Sequence, residues 1–330
     1  MTRVPATIQP VEPVASVVIA THERARMLPG LVRALEAQDI DQPFEVVIVD
    51  DGSRDQTWTV VQDLASRSGR DIRAVRLEEN RGPASARNAG WRVARAPLVA
   101  FTDDDCLPQP GWLAALVSRL GDADLVEGRT EPHPDQRQHR SDLGHTIEVL
   151  EQGEHYQTCN MGYRRALLDR LGGFREEFRY PYGEDTDLAW RALKLGARAE
   201  YEPAALVFHE VARGGLRDHL RRIRREEGVV MLLRLHPEMR PQLLSAGVLY
   251  RDYHAAALLT AFGLLTARGW RRRPWRALAV VVPFALYVRR RTWYTRRRYK
   301  PVAVPLVLAA DLYEVFVLAR ASVRHRTLVL

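Results

Sequence analysis

The chain has 330 residues, of which 46% are hydrophobic and 27% are charged, a composition typical of a globular protein and not of a disordered one. Two cysteines exclude a disulfide-rich scaffold and favour a reducing compartment, and we expect no secretory signal because the N-terminal residues lack an apolar core. Residues 211–330 carry 24 basic and 7 acidic side chains, whereas residues 1–210 carry 25 and 34. We therefore expect an N-terminal extension (1–13), a first domain (14–210) and a basic region (211–330).

The first half of the first domain alternates between predicted strands and predicted helices. Apolar runs of strand length occur at 14–20, 44–50, 72–77 and 97–103. Helical spacing occurs between them at 25–38, 55–68 and 83–94. Continuous apolar strands joined by helices predict a mostly parallel α/β sheet with helices on both faces. In such sheets, ligands bind at the carboxyl ends of the strands.

The second half of the first domain is less regular. Helices are predicted at 164–171 and at 184–195, where Gly196 ends the second one. Residues 197–210 predict one or two strands that end at His209.

The basic region predicts a helix at 216–235 with an arginine-rich face, followed by three apolar tracts. The tracts are at 255–267, 277–288 and 302–319. The arginine clusters between them are Arg271–Arg273, Arg289–Arg291 and Arg296–Arg298. None of the tracts is a clean span, which needs about 20 apolar residues. We expect helices that lie in a membrane interface, and the alternative is a small soluble helical domain with arginine on its solvent face.

Acidic residues follow two of the predicted strands. Asp50 and Asp51 end the second strand, and Asp103, Asp104 and Asp105 follow the fourth. If the strand persists, residues two apart share a face, so Asp103 and Asp105 present two hard carboxylates that suit Mg²⁺ or Mn²⁺. The alternative is a solvated acidic turn. The apolar residues before it and its place at the expected crevice favour the metal.

Four further residues are candidates for chemistry. Arg87, near the start of a helix, can meet a phosphate or hold an aspartate in place. Glu184 and Asp185 begin another helix, where acidic residues stabilise any helix N-terminus, but where a carboxylate with a raised pKa can also act as a general base. His209 becomes a metal ligand only if the fold returns it to the aspartates.

Seven segments occur in the order and spacing of one known family, across residues 14–210. They are VVIATHERARMLPGLVRALEAQ, EVVIVDDGSRDQT, ENRGPASARNAG, FTDDDCLPQPGWL, CNMGYRRALLDRLGGFREEF, GEDTDLAWRALKLG and VFHE. The chain thereby resembles glycosyltransferase family 2. The resemblance implies a GT-A fold, which is Rossmann-like, and a nucleotide-diphosphate sugar donor bound in the crevice. It does not extend to residues 211–330, which are expected to remain a basic helical region.

The resemblance also implies which residues hold the donor. Thr21, Glu23, Asp50 and Asp51 match positions that bind the nucleotide base and ribose, and which of the two aspartates meets the base stays open. Arg87 matches the arginine of the family's asparagine–glycine–arginine segment.

The stretch TDDDC matches the DxD motif of the family. Asp103 and Asp105 are therefore the expected ligands of Mg²⁺ or Mn²⁺, and Asp103 also faces the sugar and ribose. Asp104 competes for a role in donor binding. His209 matches a position that completes the metal site in some relatives.

Asp185 matches the catalytic base of the family's ED motif, and Glu184 precedes it. Such an enzyme inverts the anomeric configuration in one displacement. The QxxRW signature of processive synthases is absent from the sequence, where LAWRALKLG follows Asp185 instead, so we expect transfer of a single sugar.

We expect a cytoplasmic enzyme that is peripheral on the inner face of the cell membrane, with an anionic membrane surface as partner and no nucleic acid. The acceptor is expected to be a glycan, a lipid or a small molecule, in particular a lipid-linked or cell-envelope glycan. The alternative is a membrane-tethered pseudoenzyme or scaffold that binds a nucleotide sugar without turnover. A sugar nucleotidyltransferase is disfavoured because ATHERARM, after the first strand, is not a glycine-rich loop with a lysine.

Overall fold

The computed structural model describes residues 12–139, 144–266, 277–295 and 304–330. The chain forms two compact units that divide between Gly215 and Leu216. Most of the predicted N-terminal extension and the clusters Arg271–Arg273 and Arg296–Arg298 lie outside the described residues.

The first unit is built on one sheet, which has eight strands within the described residues. In chain order they are β1 (Ala15–Thr21), β2 (Phe44–Asp51), β3 (Asp71–Leu77), β4 (Leu98–Thr102), β5 (Cys106–Pro108), β6 (Leu125–Pro132), β7 (Asn160–Arg164) and β8 (Ala199–His209). Their order in space is β3-β2-β1-β4-β7-β6-β8-β5.

The sheet is parallel in its first half and mixed in its second. β3, β2, β1 and β4 run parallel, as the four apolar runs predicted. β7 runs antiparallel to both β4 and β6, and β5 runs antiparallel to β8. The sequence did not reveal β5, β6 or β7, because these strands are short or carry polar residues and so lack the continuous apolar run of a buried parallel strand.

Helices cover both faces of the sheet. They are α1 (Leu28–Glu36), α2 (Thr57–Arg67), α3 (Pro83–Val93), α4 (Trp112–Arg119), α5 (Arg165–Leu171) and α6 (Glu184–Lys194). Apolar residues of α1, α2 and α4 pack on one face, and those of α3, α5 and α6 pack on the other. The predicted two-sided α/β architecture is confirmed, with α4 as a helix that the sequence did not reveal.

The second unit is helical. Its helices are α7 (Leu216–Arg225), α8 (Glu227–Leu235), α9 (Arg240–Leu243), α10 (His254–Thr266), α11 (Leu278–Thr295) and α12 (Val304–His325). The single helix predicted at 216–235 is broken at Glu226, whose carboxylate lies 3.8 Å from the Arg251 guanidinium. None of the described helices combines the length and the apolar character needed to cross a bilayer.

Candidate active site

The candidate site lies at the carboxyl edge of the parallel strands. Thr21 at the end of β1 pairs with Asp50 of β2, and the acidic turn Asp103–Asp105 follows β4 on the other side of β1. Parallel neighbours end at the same edge, so these polar groups converge there, as the sequence predicted.

The acidic turn presents its side chains alternately. Asp103 and Asp105 are partly exposed, whereas Asp104 between them is buried. Asp104 accepts a hydrogen bond of 2.6 Å from the Thr21 hydroxyl. Burial, with the negative charge of Asp105, raises the pKa of Asp104 to about 7. The turn therefore leaves the Asp103 and Asp105 carboxylates partly exposed, while the Asp104 carboxylate connects the turn to β1.

Arg87 joins the acidic turn to the start of α6. Its Nη2 donates to Asp103 Oδ1 and its Nη1 donates to Glu184 Oε1, both at 2.8 Å. Burial acts to lower the pKa of Arg87, but the charges of Asp103 and Glu184 raise it above its ordinary value. Since Arg87 is only 6% exposed, it provides a fixed positive charge inside an acidic cluster.

The two acidic residues at the start of α6 have different surroundings. Glu184 is buried against Arg87, and burial together with the charge of Asp185 raises its pKa to about 7. Asp185 is partly exposed and accepts a 2.8 Å hydrogen bond from the backbone N–H of Thr186. Burial also raises the pKa of Asp185, against the charges of Arg87 and His155. Asp185 is therefore the more accessible carboxylate, and Glu184 orients the arginine.

Asp105, Cys106 and His209 form a group of possible metal ligands, whose donor atoms lie within 4.8 Å of one another. His209 returns to the turn because β8 pairs with β5, directly opposite Cys106. Its Nε2 lies 3.6 Å from Asp105 Oδ1, while its Nδ1 lies 2.8 Å from the Glu210 carbonyl oxygen. If Nδ1 donates to that carbonyl, Nε2 faces Asp105 with its lone pair.

The donor set of this group suits a hard or borderline cation. A carboxylate and an imidazole are ligands that Mn²⁺ accepts, whereas burial raises the pKa of the Cys106 thiol well above its ordinary value and keeps it protonated. Asp103, the other predicted ligand, is hydrogen-bonded to Arg87 and lies outside the group.

The residues predicted to hold the nucleotide lie around the ends of β1 and β2. Both carboxylate oxygens of Asp51 accept backbone N–H groups at 2.8 Å, from Arg81 and Gly82. Asp50 accepts one from Ser53 at 3.1 Å, while its Oδ2 lies 3.4 Å from Arg76 Nε with no hydrogen bond in the described structure.

Glu23 is exposed and has a φ of 53°. Its backbone N–H donates to the Ser53 hydroxyl at 2.9 Å, which ties the turn after β1 to the turn after β2.

Two charged residues near the site were missed from the sequence. Arg24 lies 3.5 Å from Asp105 and 3.7 Å from Glu210, and its position in the polar turn after β1 was the available signal. Glu127 is buried in β6 with Oε2 unpaired in the described structure, and its Oε1 accepts a 3.0 Å hydrogen bond from the Gln157 backbone. A single charge inside the run LVEG was the signal for it.

The first unit matches the sequence model described as glycosyl transferase family 2 over residues 16–172. Residues 16–172 therefore form a glycosyltransferase family 2 domain. The family resemblance found in the sequence motifs is thereby confirmed, and the two-sided sheet is a GT-A fold.

Two curated relatives show how far the similarity reaches. A pre-mycofactocin glycosyltransferase of Mycobacterium tuberculosis is 33% identical over 267 residues, which cover 76% of this chain and 54% of that protein. An undecaprenyl-phosphate 4-deoxy-4-formamido-L-arabinose transferase of Pseudomonas aeruginosa is 31% identical over 169 residues, 49% and 50% of the two chains. The chain spans about half the length of these relatives.

Solved structures support the fold. Mannosyltransferase PcManGT from Pyrobaculum calidifontis, in complex with GDP-Man and Mn²⁺, is similar with a TM-score of 0.59 at 21% identity, covering 96% of this chain and 87% of that one. S. aureus TarS 1-349 gives a TM-score of 0.50 at 20% identity, covering 87% and 93%.

Proposed function

We propose that this chain is an inverting glycosyltransferase that moves one sugar from a nucleotide-diphosphate sugar to an acceptor hydroxyl. The observation that carries the proposal is the bridge made by Arg87, which holds Asp103 of the acidic turn and Glu184 of α6 in one cluster. Asp185 is next to Glu184, so a candidate base and a candidate donor-binding carboxylate share one crevice.

Asp185 is the proposed general base. It takes the proton from the acceptor hydroxyl as that oxygen attacks the anomeric carbon, and the bond to the diphosphate breaks on the opposite face. One such displacement inverts the anomeric configuration and needs no nucleophilic side chain. The raised pKa of Asp185 makes its carboxylate a better proton acceptor than an exposed aspartate.

Asp105 and His209, with Asp103, are the proposed ligands of Mg²⁺ or Mn²⁺. Such an ion supplies positive charge for the departing diphosphate when it is bound. Support comes from the converging donor atoms of Asp105 and His209 and from PcManGT, whose structure contains Mn²⁺ with GDP-Man.

Asp50, Thr21 and Glu23 are the proposed contacts of the nucleotide. Asp50 is a better candidate for the base than Asp51, because both carboxylate oxygens of Asp51 already hold the loop before α3. Asp104 supports this region through its hydrogen bond to Thr21. Arg87 is proposed to contribute to donor binding indirectly, by holding the Asp103 carboxylate in place.

The proposed acceptor is a lipid-linked or cell-envelope glycan, and we infer that the enzyme works on the cytoplasmic face of an anionic membrane. Support comes from the excess of arginine in residues 211–330 and from a relative whose name includes undecaprenyl-phosphate. The absence of QxxRW from the sequence supports transfer of a single sugar.

The substitution Asp185→Asn tests the function. Nucleotide release from a panel of UDP-, GDP- and dTDP-sugars is measured with Mn²⁺, with Mg²⁺ and with EDTA, alongside calorimetric binding of the nucleotide. We expect Asp185→Asn to lower the rate about 10²- to 10⁴-fold while nucleotide binding stays unchanged. The control is Asp122→Asn, at an exposed aspartate, which should keep full activity.

Transfer that survives in Asp185→Asn contradicts the assignment of the base. A wild-type protein that binds nucleotide sugars and transfers none of them indicates the pseudoenzyme instead. Activity that is equal with EDTA and with Mn²⁺ contradicts the metal site.

A further inference from the structure

The helices α10 and α11 carry their large apolar side chains on the outside. In α10 these are Leu258, Leu259, Phe262, Leu264 and Leu265, and in α11 they are Leu278, Val281, Val282 and Leu286. Phe262 is 65% exposed and Leu265 is 78% exposed. An apolar surface that continues over two neighbouring helices marks a contact with a partner or a membrane.

The inner side of α10 is small or polar. His254, Ala256, Ala257, Thr260 and Gly263 are its buried residues. A Cβ atom at Gly263 would lie 2.3 Å from the Ala279 carbonyl oxygen, so the backbones of α10 and α11 touch at this point. A helix pair in water buries leucine and phenylalanine and exposes polar groups. In α10 the distribution is reversed, which is favourable where the outer side meets an apolar medium.

The sequence between α10 and α11 favours a membrane over other partners. The connecting residues 267–276 have the sequence ARGWRRRPWR, with five arginines and two tryptophans. Arginine and tryptophan are the residues that favour lipid head groups. A second copy of the chain would bring like charges together, and a nucleic acid would leave the leucines uncovered.

We propose that the α10–α11 pair lies flat in the interface of an anionic bilayer, with its outer apolar side chains in the hydrocarbon. The proposal specifies the membrane contact of the proposed function and does not depend on catalytic turnover.

Charge favours the flat orientation. Arg289 and Arg290 lie within α11 and are exposed. An upright pair would carry them into the bilayer, where charged side chains are costly.

The test is flotation of the full chain with two kinds of vesicle, pure phosphatidylcholine and phosphatidylcholine with phosphatidylglycerol. We expect binding to the anionic vesicles, and we expect the double substitution Leu259→Asn and Phe262→Asn to weaken it by about tenfold or more, since both side chains would lose apolar burial in the bilayer. Both positions are exposed, so the fold should be kept. The control is Leu195→Asn, an exposed leucine of the first unit, which should bind normally.

A second measurement reports depth. An environment-sensitive dye on Phe262→Cys should shift to the blue with anionic vesicles, whereas the same dye on Leu195→Cys should not. Both native cysteines are buried, so labelling is confined to the new site.

Binding that is unchanged in the double variant overturns the proposal and indicates attraction by arginine alone. A dimer in solution that becomes a monomer in the double variant, with no vesicle binding by the wild type, also overturns it and makes this face an interface between copies. Nucleotide release measured without vesicles should be equal in all variants, so failure of the membrane proposal is separable from failure of the enzymatic one.

Discussion

The two units of the chain place their polar groups in opposite ways. In the first unit Phe101, Trp112 and Tyr163 are buried and carboxylates gather at one edge of the sheet. In α10, small and polar residues are buried while Phe262 and Leu265 are exposed. The same physical rule applies to both units. Large apolar side chains are stabilised away from water, and like charges are stabilised close to a group of opposite charge. The difference fits the two proposals, a polar donor at the first unit and an apolar surrounding for α10 of the second.

Arg87→Met removes the positive charge at the centre of the acidic cluster in the first unit, and of the variants considered it should lower the free energy of unfolding most. Glu184 and Asp103 lose their partner, and breaking a buried ion pair from one side costs about 3–5 kcal/mol of unfolding free energy. Urea unfolding followed by tryptophan fluorescence measures this loss. Vesicle binding by the second unit should persist.

The matched control is Arg92→Met, because Arg92 is half exposed and pairs with Glu176 at 3.4 Å. An exposed pair contributes about 1 kcal/mol or less. If Arg87→Met and Arg92→Met lower the free energy of unfolding equally, the acidic cluster does not depend on the positive charge of Arg87.

The same substitution, glycine to alanine, can be made at one closely packed helix position in each unit, which tests the two units separately. A Cβ at Gly90 would lie 2.4 Å from Val18 Cγ1 of β1, and a Cβ at Gly263 would lie 2.3 Å from the Ala279 backbone. Each change to alanine should cost about 1–3 kcal/mol through overpacking, offset by about 1 kcal/mol because alanine favours helix. We expect the larger loss of stability for Gly263→Ala, because a backbone oxygen can move away from the new methyl group less easily than a valine side chain can.

The readouts for the glycine pair are nucleotide binding and vesicle binding. Gly90→Ala should weaken the first and Gly263→Ala the second. Gly69→Ala, where a Cβ has no neighbour within 4 Å, should change neither. A loss of both properties in one variant would contradict independent units.

Glu127→Gln gives the smallest and most specific effect. Burial and the negative charge of Asp185 raise the pKa of Glu127 to about 7 from an ordinary 4.5, although hydrogen bonds from the backbone act to lower it. A folded-state pKa above the unfolded one means that stability falls as pH rises from about 4.5 to about 7. Glutamine cannot ionise, so Glu127→Gln should be more stable than the wild type at pH ~8 and similar to it at pH ~5.

Glu45→Gln is the matched control, and its effect should have the opposite sign. Although burial acts to raise the pKa of Glu45, hydrogen bonds from Ser16 and Arg95 lower it below its ordinary value. The ionised carboxylate therefore stabilises the fold above the ordinary pKa, and Glu45→Gln should destabilise the chain at pH ~8. Urea unfolding at both pH values measures the pair, and equal signs would refute the comparison.

The elements with a local side-chain pattern could be predicted from the sequence alone. Continuous apolar runs predicted β1 to β4, helical spacing predicted α1, α2 and α3, and the acidic residues at the strand ends predicted the edge of the sheet at which these residues converge. These inferences succeed because the side-chain repeat of a strand or helix is set by its own backbone.

Tertiary structure decided what depends on distant partners. Arg87 and Glu184 are 97 residues apart in the chain, and His209 meets Asp105 only because β8 pairs with β5. The inward turn of Asp104 and the outward leucines of α10 are similar cases. The sequence shows whether a residue is apolar or charged. Which side of an element is buried depends on the neighbours that folding brings to it, and these neighbours also determine whether a charge contacts a partner, a ligand or water.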